Sequence, residues 1–425
     1  MVRRSLNNST KSLALFLIAL TVLAGSSYAT NGYFSLGYGT KYLALAGAGV
    51  ALSLNALGVA TNPASLAFLG NRTDISLALF NPNREYTISG NPSGYPGTFG
   101  LTPGTIQSDS RAFLMPSIGA SWQLNDTLSL GFALYGNGGM NSNYPTNTFY
   151  GTSPTGVNLM QIFIAPTVAV KIAQKHGIGL TPIFCYQAFK AEGLQAFSSF
   201  SSDAAHLTNT GSAGSTGFGV RVGYLGELSP YLSLGASYQT KLSMTPFKKY
   251  AGLFAEQGDF DIPANWTAGL AVKPTKALSI ALDVQEILYS GVKSIHSPFN
   301  PADFYKGIFL GSDGGPGFGW KNMTIFKGGV QWQSSEKWTW RAGYSSGKQP
   351  IPESEVLFNI LAPGVVDQHL TFGCTFGLGG KKEISIAVMR AFAKSVSGPN
   401  PMEVPGLQTI ELKMDQWQFE VGFSF

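Results

Sequence analysis

The last ten residues alternate strictly. Trp417, Phe419, Val421, Phe423 and Phe425 hold one parity, and Gln416, Gln418, Glu420, Gly422 and Ser424 the other. A period of two is the mark of a strand with one apolar and one polar face. About ten residues is the length a tilted strand needs to cross a bilayer. Apolar residues alternate in the same way over 75–79, 114–122, 128–134, 162–170, 178–186, 218–224, 232–238, 266–272, 278–284, 326–332, 338–344, 370–378 and 384–388. The pattern therefore predicts fourteen strands. Upstream of the terminal one, Ile410, Leu412 and Met414 are apolar on even positions. That reversal near Asp415-Gln416 predicts a bulge there, with the last strand beginning above the membrane.

The connections follow a second rhythm. Short turns follow the even-numbered strands, for example Asn125-Asp126, Lys273 to Lys276 and Ser334 to Lys337. Long loops rich in Gly, Pro, Ser and Asn follow the odd ones: 89–109, 139–156, 191–214, 243–262, 291–321, 348–366 and 396–408. Short periplasmic turns and long outer loops are the rule for outer-membrane barrels. Strict alternation also requires an even number of strands, with both chain ends in the periplasm. The fold class predicted is an all-β membrane protein: a 14-stranded antiparallel transmembrane β-barrel.

Composition separates this from a soluble all-β protein, whose strands also alternate. Only 12% of the 425 residues are charged, against about 25% in typical soluble domains. The N-terminus reads as a signal peptide over residues 1–29: Arg3, Arg4 and Lys11, an apolar core from Leu13 to Ala24, and small residues around Ser27-Tyr28-Ala29. Asn7 and Asn8 follow Arg3-Arg4 where a twin-arginine signal wants apolar residues, so general secretion is expected. The mature chain would start near Thr30. Losing three of the 28 cations leaves 25 against 23 acids. That near-neutral balance, with no basic cluster, gives no support for binding nucleic acid. Cys185 and Cys374 fall on opposite faces of the wall by parity, so both are expected to be free thiols.

Residues 30–72 do not alternate. Tyr42 to Ala60 holds 19 residues without a formal negative charge or cation, long enough to span. Its glycines, Ser53, Asn55 and many alanines make insertion marginal. A fourteen-strand barrel is too wide for wall side chains to fill. The domain reading is therefore residues 30–72 as a plug inside the lumen and residues 73–425 as the barrel. Loop 243–262 carries Phe247, Tyr250 and Phe254 at helical spacing, and loop 191–214 carries Leu194, Phe197 and Phe200. Such residues form either a ligand groove or a loop-on-loop contact. Gly136-Asn137-Gly138-Gly139 marks a bulge in the third strand or an ordinary turn entering the next loop; composition alone favours the turn.

Three stretches stand out together: Leu45 to Ala51 followed by Asn62-Pro63-Ala64, Pro116-Ser117-Ile118 through Asn125-Asp126 with Tyr135-Gly136, and Trp338 to Tyr344 with Pro350-Ile351-Pro352. In these the chain resembles the long-chain fatty acid transporter (FadL) family of outer-membrane proteins. It implies a barrel closed by an N-terminal hatch bearing the Asn62-Pro63-Ala64 motif. It also implies ligand capture between two outer loops and lateral exit through a kink in strand 3 at Gly136 to Gly139. Members often carry acids about seven positions before the motif, where this chain has Leu54 and Asn55. Candidate cations for a ligand carboxylate are Arg221, Lys327 and Arg341, on the lumen side by parity, and Lys190 at the loop end of strand 5.

The expected function is passive outer-membrane transport of hydrophobic small molecules, long-chain fatty acids or similar. The alternatives are neutral aromatic hydrocarbons or a general porin. Expected partners are the hydrophobic ligand, outer-membrane lipid and lipopolysaccharide, and the barrel-assembly machinery; a monomer is expected, without nucleic acid, metal or cofactor. An enzyme is disfavoured, because His176, His206, His296 and His369 sit in no recognisable catalytic signature.

Overall fold

The alternation is realised as a closed ring. The computed structural model describes residues 31–425, so the signal peptide expected over 1–29 lies outside the described residues. The wall consists of β1 (Arg72–Ser89), β2 (Phe113–Gln123), β3 (Leu128–Asn143), β4 (Gly156–Ala173), β5 (His176–Glu192), β6 (Ala213–Ser229) and β7 (Leu232–Gln239), followed by β8 (Asn265–Thr275), β9 (Leu278–Ile287), β10 (Met323–Gln333), β11 (Trp338–Gly347), β12 (Gln368–Gly379), β13 (Lys382–Pro399) and β14 (Thr409–Ser424). Each is antiparallel to the next. β14 pairs with β1 from Asp74↔Ser424 to Ser89↔Thr409, which closes the barrel and removes its edges.

Burial along each strand follows the predicted parity, with the usual sense inverted. On β1, Ile75, Leu77 and Leu79 point outward and are exposed, while Asp74, Ser76 and Ala78 point inward and are buried. Hydrocarbon, not water, is the solvent of the outer face. Trp122, Trp332 and Trp338 are exposed next to the short turns, the place of an aromatic girdle at the membrane interface. Cys185 is buried on an inward position, Cys374 is partly exposed on an outward one, and both are free.

One expectation fails. β14 has no bulge: Ile410, Leu412, Met414, Gln416 and Gln418 all point inward, in unbroken register with β1. The reversal records a change of surroundings. Near the outer end the lumen is apolar and the outer face polar; lower down both are reversed. The extra residue sits in the neighbour instead, where Ala391 and Lys394 of β13 oppose Gln416 and Met414.

Residues 31–71 contribute no strand to the wall; apart from an isolated bridge of Phe34 with Gly138 they pack against its inward face. They form one helical turn (Thr40–Leu43) and two 3-10 turns (Ala56–Ala60 and Pro63–Phe68). Nearly all of residues 40–67 are buried, and no helix among the described residues is long and apolar enough to cross a membrane. Inward glycines of the wall make room for this backbone. A Cβ on Gly179 would strike Pro63 and Ala64, and one on Gly223 would strike Asn62.

Candidate functional site

Asn62 is the hinge pin of the inner segment. Its Oδ1 accepts from the N–H of Ala64 at 3.0 Å and so caps the turn that Pro63 opens. Its Nδ2 donates to the carbonyls of Val50 at 2.7 Å and Tyr224 at 2.8 Å. One side chain thus ties two stretches of the inner segment to β6.

The acids that fix this segment stand on the wall. Asp283 of β9 accepts from the N–H groups of Gly49 at 2.7 Å and Val50 at 2.9 Å. Asp74 of β1 accepts from Ala56 N–H at 2.7 Å and is held by Arg72 and Ser424. Lys41 pairs with Glu383 of β13 at 2.5 Å. Position 54 is leucine, and Asn55 precedes the first 3-10 turn without capping it through its side chain. A neutral stretch before Asn62 is therefore anchored by carboxylates that sequence spacing around the motif does not reveal.

At Gly136 to Gly139 the wall is irregular. Gly136 opposes Ile162 and Gly138 opposes Gln161, so Asn137 is the extra residue of a bulge. Pairing of β2 with β3 covers only Ile118↔Leu134 to Gln123↔Ser129. Above it, residues 113–117 have no partner on β3. The two sides meet again at the top, where Asp109 N–H donates to Asn143 O at 2.8 Å. The result is a window in the wall between β2 and β3.

The inner segment lines that window. Gly139 N–H donates to Tyr33 O and Ser35 N–H donates to Asn137 O, each at 3.0 Å. Asn137 points inward, accepting from Tyr38 OH at 2.9 Å and donating to Gln161 at 3.0 Å. A narrow cleft leads in from the window between Ser35, Gly37 and Tyr38 on one side and Met115, Pro116 and Ser117 on the other.

The loop residues singled out from sequence are placed in two sets. Phe247, Tyr250 and Phe254 gather on Phe189 of β5 with ring centroids 4.7–5.6 Å apart. They do so around a 3-10 turn (Lys248–Tyr250), not along a continuous helix face. Leu194 and Phe197 are buried, Phe197 against Phe99, Phe149, Phe299 and Phe358, while Phe200 stacks on Phe304 at 4.6 Å. The loops are stitched directly, since Ser201 Oγ donates to Gly252 O at 2.7 Å and Gly252 N–H to His206 O at 3.0 Å. In the same outer region burial, and then the neighbouring Asp261 carboxylate, push Asp259 up to about 6.

Below the loops lies an aromatic cluster of Tyr33, Phe34, Phe254, Phe260, Tyr289 and Trp320, with centroids 4.7–6.4 Å apart. The cations lie elsewhere. Arg221 donates to Val59 O at 3.3 Å, to Tyr135 OH at 3.2 Å and to Gln239. Lys327 donates to Leu36 O at 3.1 Å. Arg341 is held by Gln331 and Thr375 near the periplasmic end. Lys190 is corrected: it stands on the outward parity of β5, half-exposed, paired with Glu192 at 2.8 Å. Sequence reasoning missed Arg84, which inward parity on β1 would have found. It is buried over the ring of Phe113 and donates to Ser110 O at 2.5 Å.

The sequence profile described as "Outer membrane protein transport protein (OMPP1/FadL/TodX)" matches residues 17–409. No curated protein matches the sequence. Solved structures of similar fold include the P. putida toluene transporter TodX, with TM-score 0.69, 17% identity and coverage of 92% of this chain and 98% of that one. A Pseudomonas aeruginosa FadL homologue gives 0.68 and 15%, covering 93% and 99%. The Ralstonia pickettii toluene transporter TbuX gives 0.63 and 16%, covering 92% and 98%.

Proposed function

From membership of the outer membrane protein transport protein family (OMPP1/FadL/TodX), to which this chain belongs, we propose that it is an uptake channel for small neutral aromatic hydrocarbons. The coarser activity is that of the family: a non-catalytic outer-membrane barrel that passes hydrophobic small molecules passively. The observation that carries the finer reading is the lumen's division of labour. Aromatic rings fill the region under the loops, and Arg221, Lys327 and Arg341 are each engaged by the protein's own oxygens. Two of the similar structures are toluene transporters by their descriptions.

In this reading residues 31–71 are a hatch that closes the lumen. Ligand is captured among the aromatic residues of loops 191–214 and 243–262, including Leu194, Phe197, Phe200, Phe247, Tyr250 and Phe254. It then moves inward and leaves sideways past Gly136 to Gly139 into the membrane. A lateral outlet below the lipopolysaccharide sugars solves the physical problem, because that polar layer excludes apolar solutes. One chain closes the ring by itself, and we propose that it works as a monomer. The terminal strand ending in Phe425 is the segment we assign to recognition by the barrel-assembly machinery.

A fatty-acid reading has one observation in its favour: the Nε of Arg84 is buried with no hydrogen-bond partner. Equilibrium binding of toluene and oleate to the purified full chain separates the two. Toluene binding stronger than oleate binding, each relative to a detergent blank, supports the hydrocarbon channel. Tight oleate binding abolished by Arg84→Ala supports the fatty-acid channel.

A further inference from the structure

We infer that Glu420 sets the charge specificity of the side route, letting uncharged ligands pass and turning carboxylates back. The inference rests on the lateral-exit reading and adds the class of ligand it selects. Glu420 lies on β14, points inward and is 4% exposed. It is the one formally charged side chain among the residues lining the cleft behind the window. Register explains how it reaches there. Glu420 opposes Ala78 of β1, and Ala78 opposes Met115 of β2, so the three stand in one row across adjacent strands. Strands lie about 4.8 Å apart. The methyl group of Ala78 leaves uncovered the space between Glu420 and the stretch of β2 that has no partner on β3.

The partners of Glu420 are neutral. Thr40 Oγ donates to it at 3.1 Å and Gln418 Nε2 at 3.3 Å. Among the described residues no lysine or arginine forms an ion pair with it. Lys41, next to Thr40, is taken by Glu383, which opposes Ser424, four residues further along β14. An uncompensated carboxylate in a narrow, largely dehydrated cleft is felt strongly. A second negative charge about 5 Å away, at an effective dielectric near 20, is disfavoured by roughly 300-fold. A neutral ring meets no such opposition. It passes between Met115, Pro116 and the edge of Tyr135.

Toluene and benzoate share a ring and differ in this charge, so they form the test pair. Porin-deficient cells expressing the full chain would be assayed for uptake of each, with vector-only cells as background. Glu420→Gln keeps volume and a hydrogen-bond acceptor; Glu420→Asp keeps the charge. Barrel folding is checked by heat-modifiable gel mobility, and Glu420→Ser replaces Glu420→Gln if the latter does not fold. The benzoate-to-toluene uptake ratio should rise at least about tenfold in the neutral variant and stay near the wild-type value in Glu420→Asp. A folded neutral variant with the wild-type ratio overturns the inference, as does wild-type protein that takes up benzoate as readily as toluene. Wild-type protein that takes up no toluene overturns the hydrocarbon-channel reading itself.

Discussion

Phe34 and Gly138 form an antiparallel bridge, so the N-terminal segment occupies the edge that β3 leaves open beside the window. A Cβ on Gly138 would collide with the Tyr33 carbonyl, which is why glycine stands there. Gly138→Val should push Tyr33 to Ser35 off this edge while the barrel stays folded. Hydrogen exchange should then quicken at Ser35 and Gly139, whose N–H groups bond across the bridge. Unchanged exchange at both would show that the contact is dispensable.

Asn62 makes three hydrogen bonds, two of them to carbonyls distant in sequence. Asn62→Ala should cost about 2–3 kcal/mol, from a lost cap and two unsatisfied buried acceptors. Asn62→Asp should be worse, because a carboxylate cannot donate and would face the oxygens of Val50 and Tyr224. The urea midpoint in detergent micelles should rank wild type above Ala above Asp.

The strand count was legible because period-two alternation and turn spacing are local properties of the chain; glycine clustering marked residues 136–139 but by itself favoured a turn over the bulge that stands there. The anchors were not. Asp283 lies 234 residues from Gly49, and nothing in either neighbourhood marks the other. Arg84 was readable by parity but stood outside any motif. The apparent phase change at Asp415-Gln416 misled because alternation reports polarity, and here both faces changed polarity at the same height while the backbone ran on unchanged.

Asp283 should hold the inner segment more firmly than a neutral acceptor would. Bonds to an ionised acceptor are worth about 1.5–3 kcal/mol each. Asp283→Ala should therefore destabilise by about 3 kcal/mol or more and speed exchange at the Gly49 and Val50 amides. Asp283→Asn, which keeps one oxygen, should lie between. Equal exchange in all three proteins would contradict this anchoring role.

The outer loops should loosen as pH rises. Asp259 is raised from 3.8 to about 6, by burial first and then by Asp261. A raised carboxyl holds its proton more tightly when the loop is folded. Its cost is therefore present above about pH 6 and fades as pH falls toward 4. Because the group is only half-buried, about 1 kcal/mol is expected. Proteolysis within residues 240–264 should be slower at pH 5 than at pH 7.5 for a protease active at both. Asp259→Asn should remove the difference by protecting the loop at pH 7.5.

The central claim is that ligand leaves through the window between β2 and β3. Gly136 lines the cleft with Pro116 and Ser117 and opposes the outward-facing Ile162, so an isoleucine there would stand at the outer mouth of the window, away from the loops. The direct measurement is toluene uptake by cells expressing Gly136→Ile, with heat-modifiable mobility confirming a folded barrel. The account predicts uptake at the vector background. Wild-type uptake by the folded variant would contradict it.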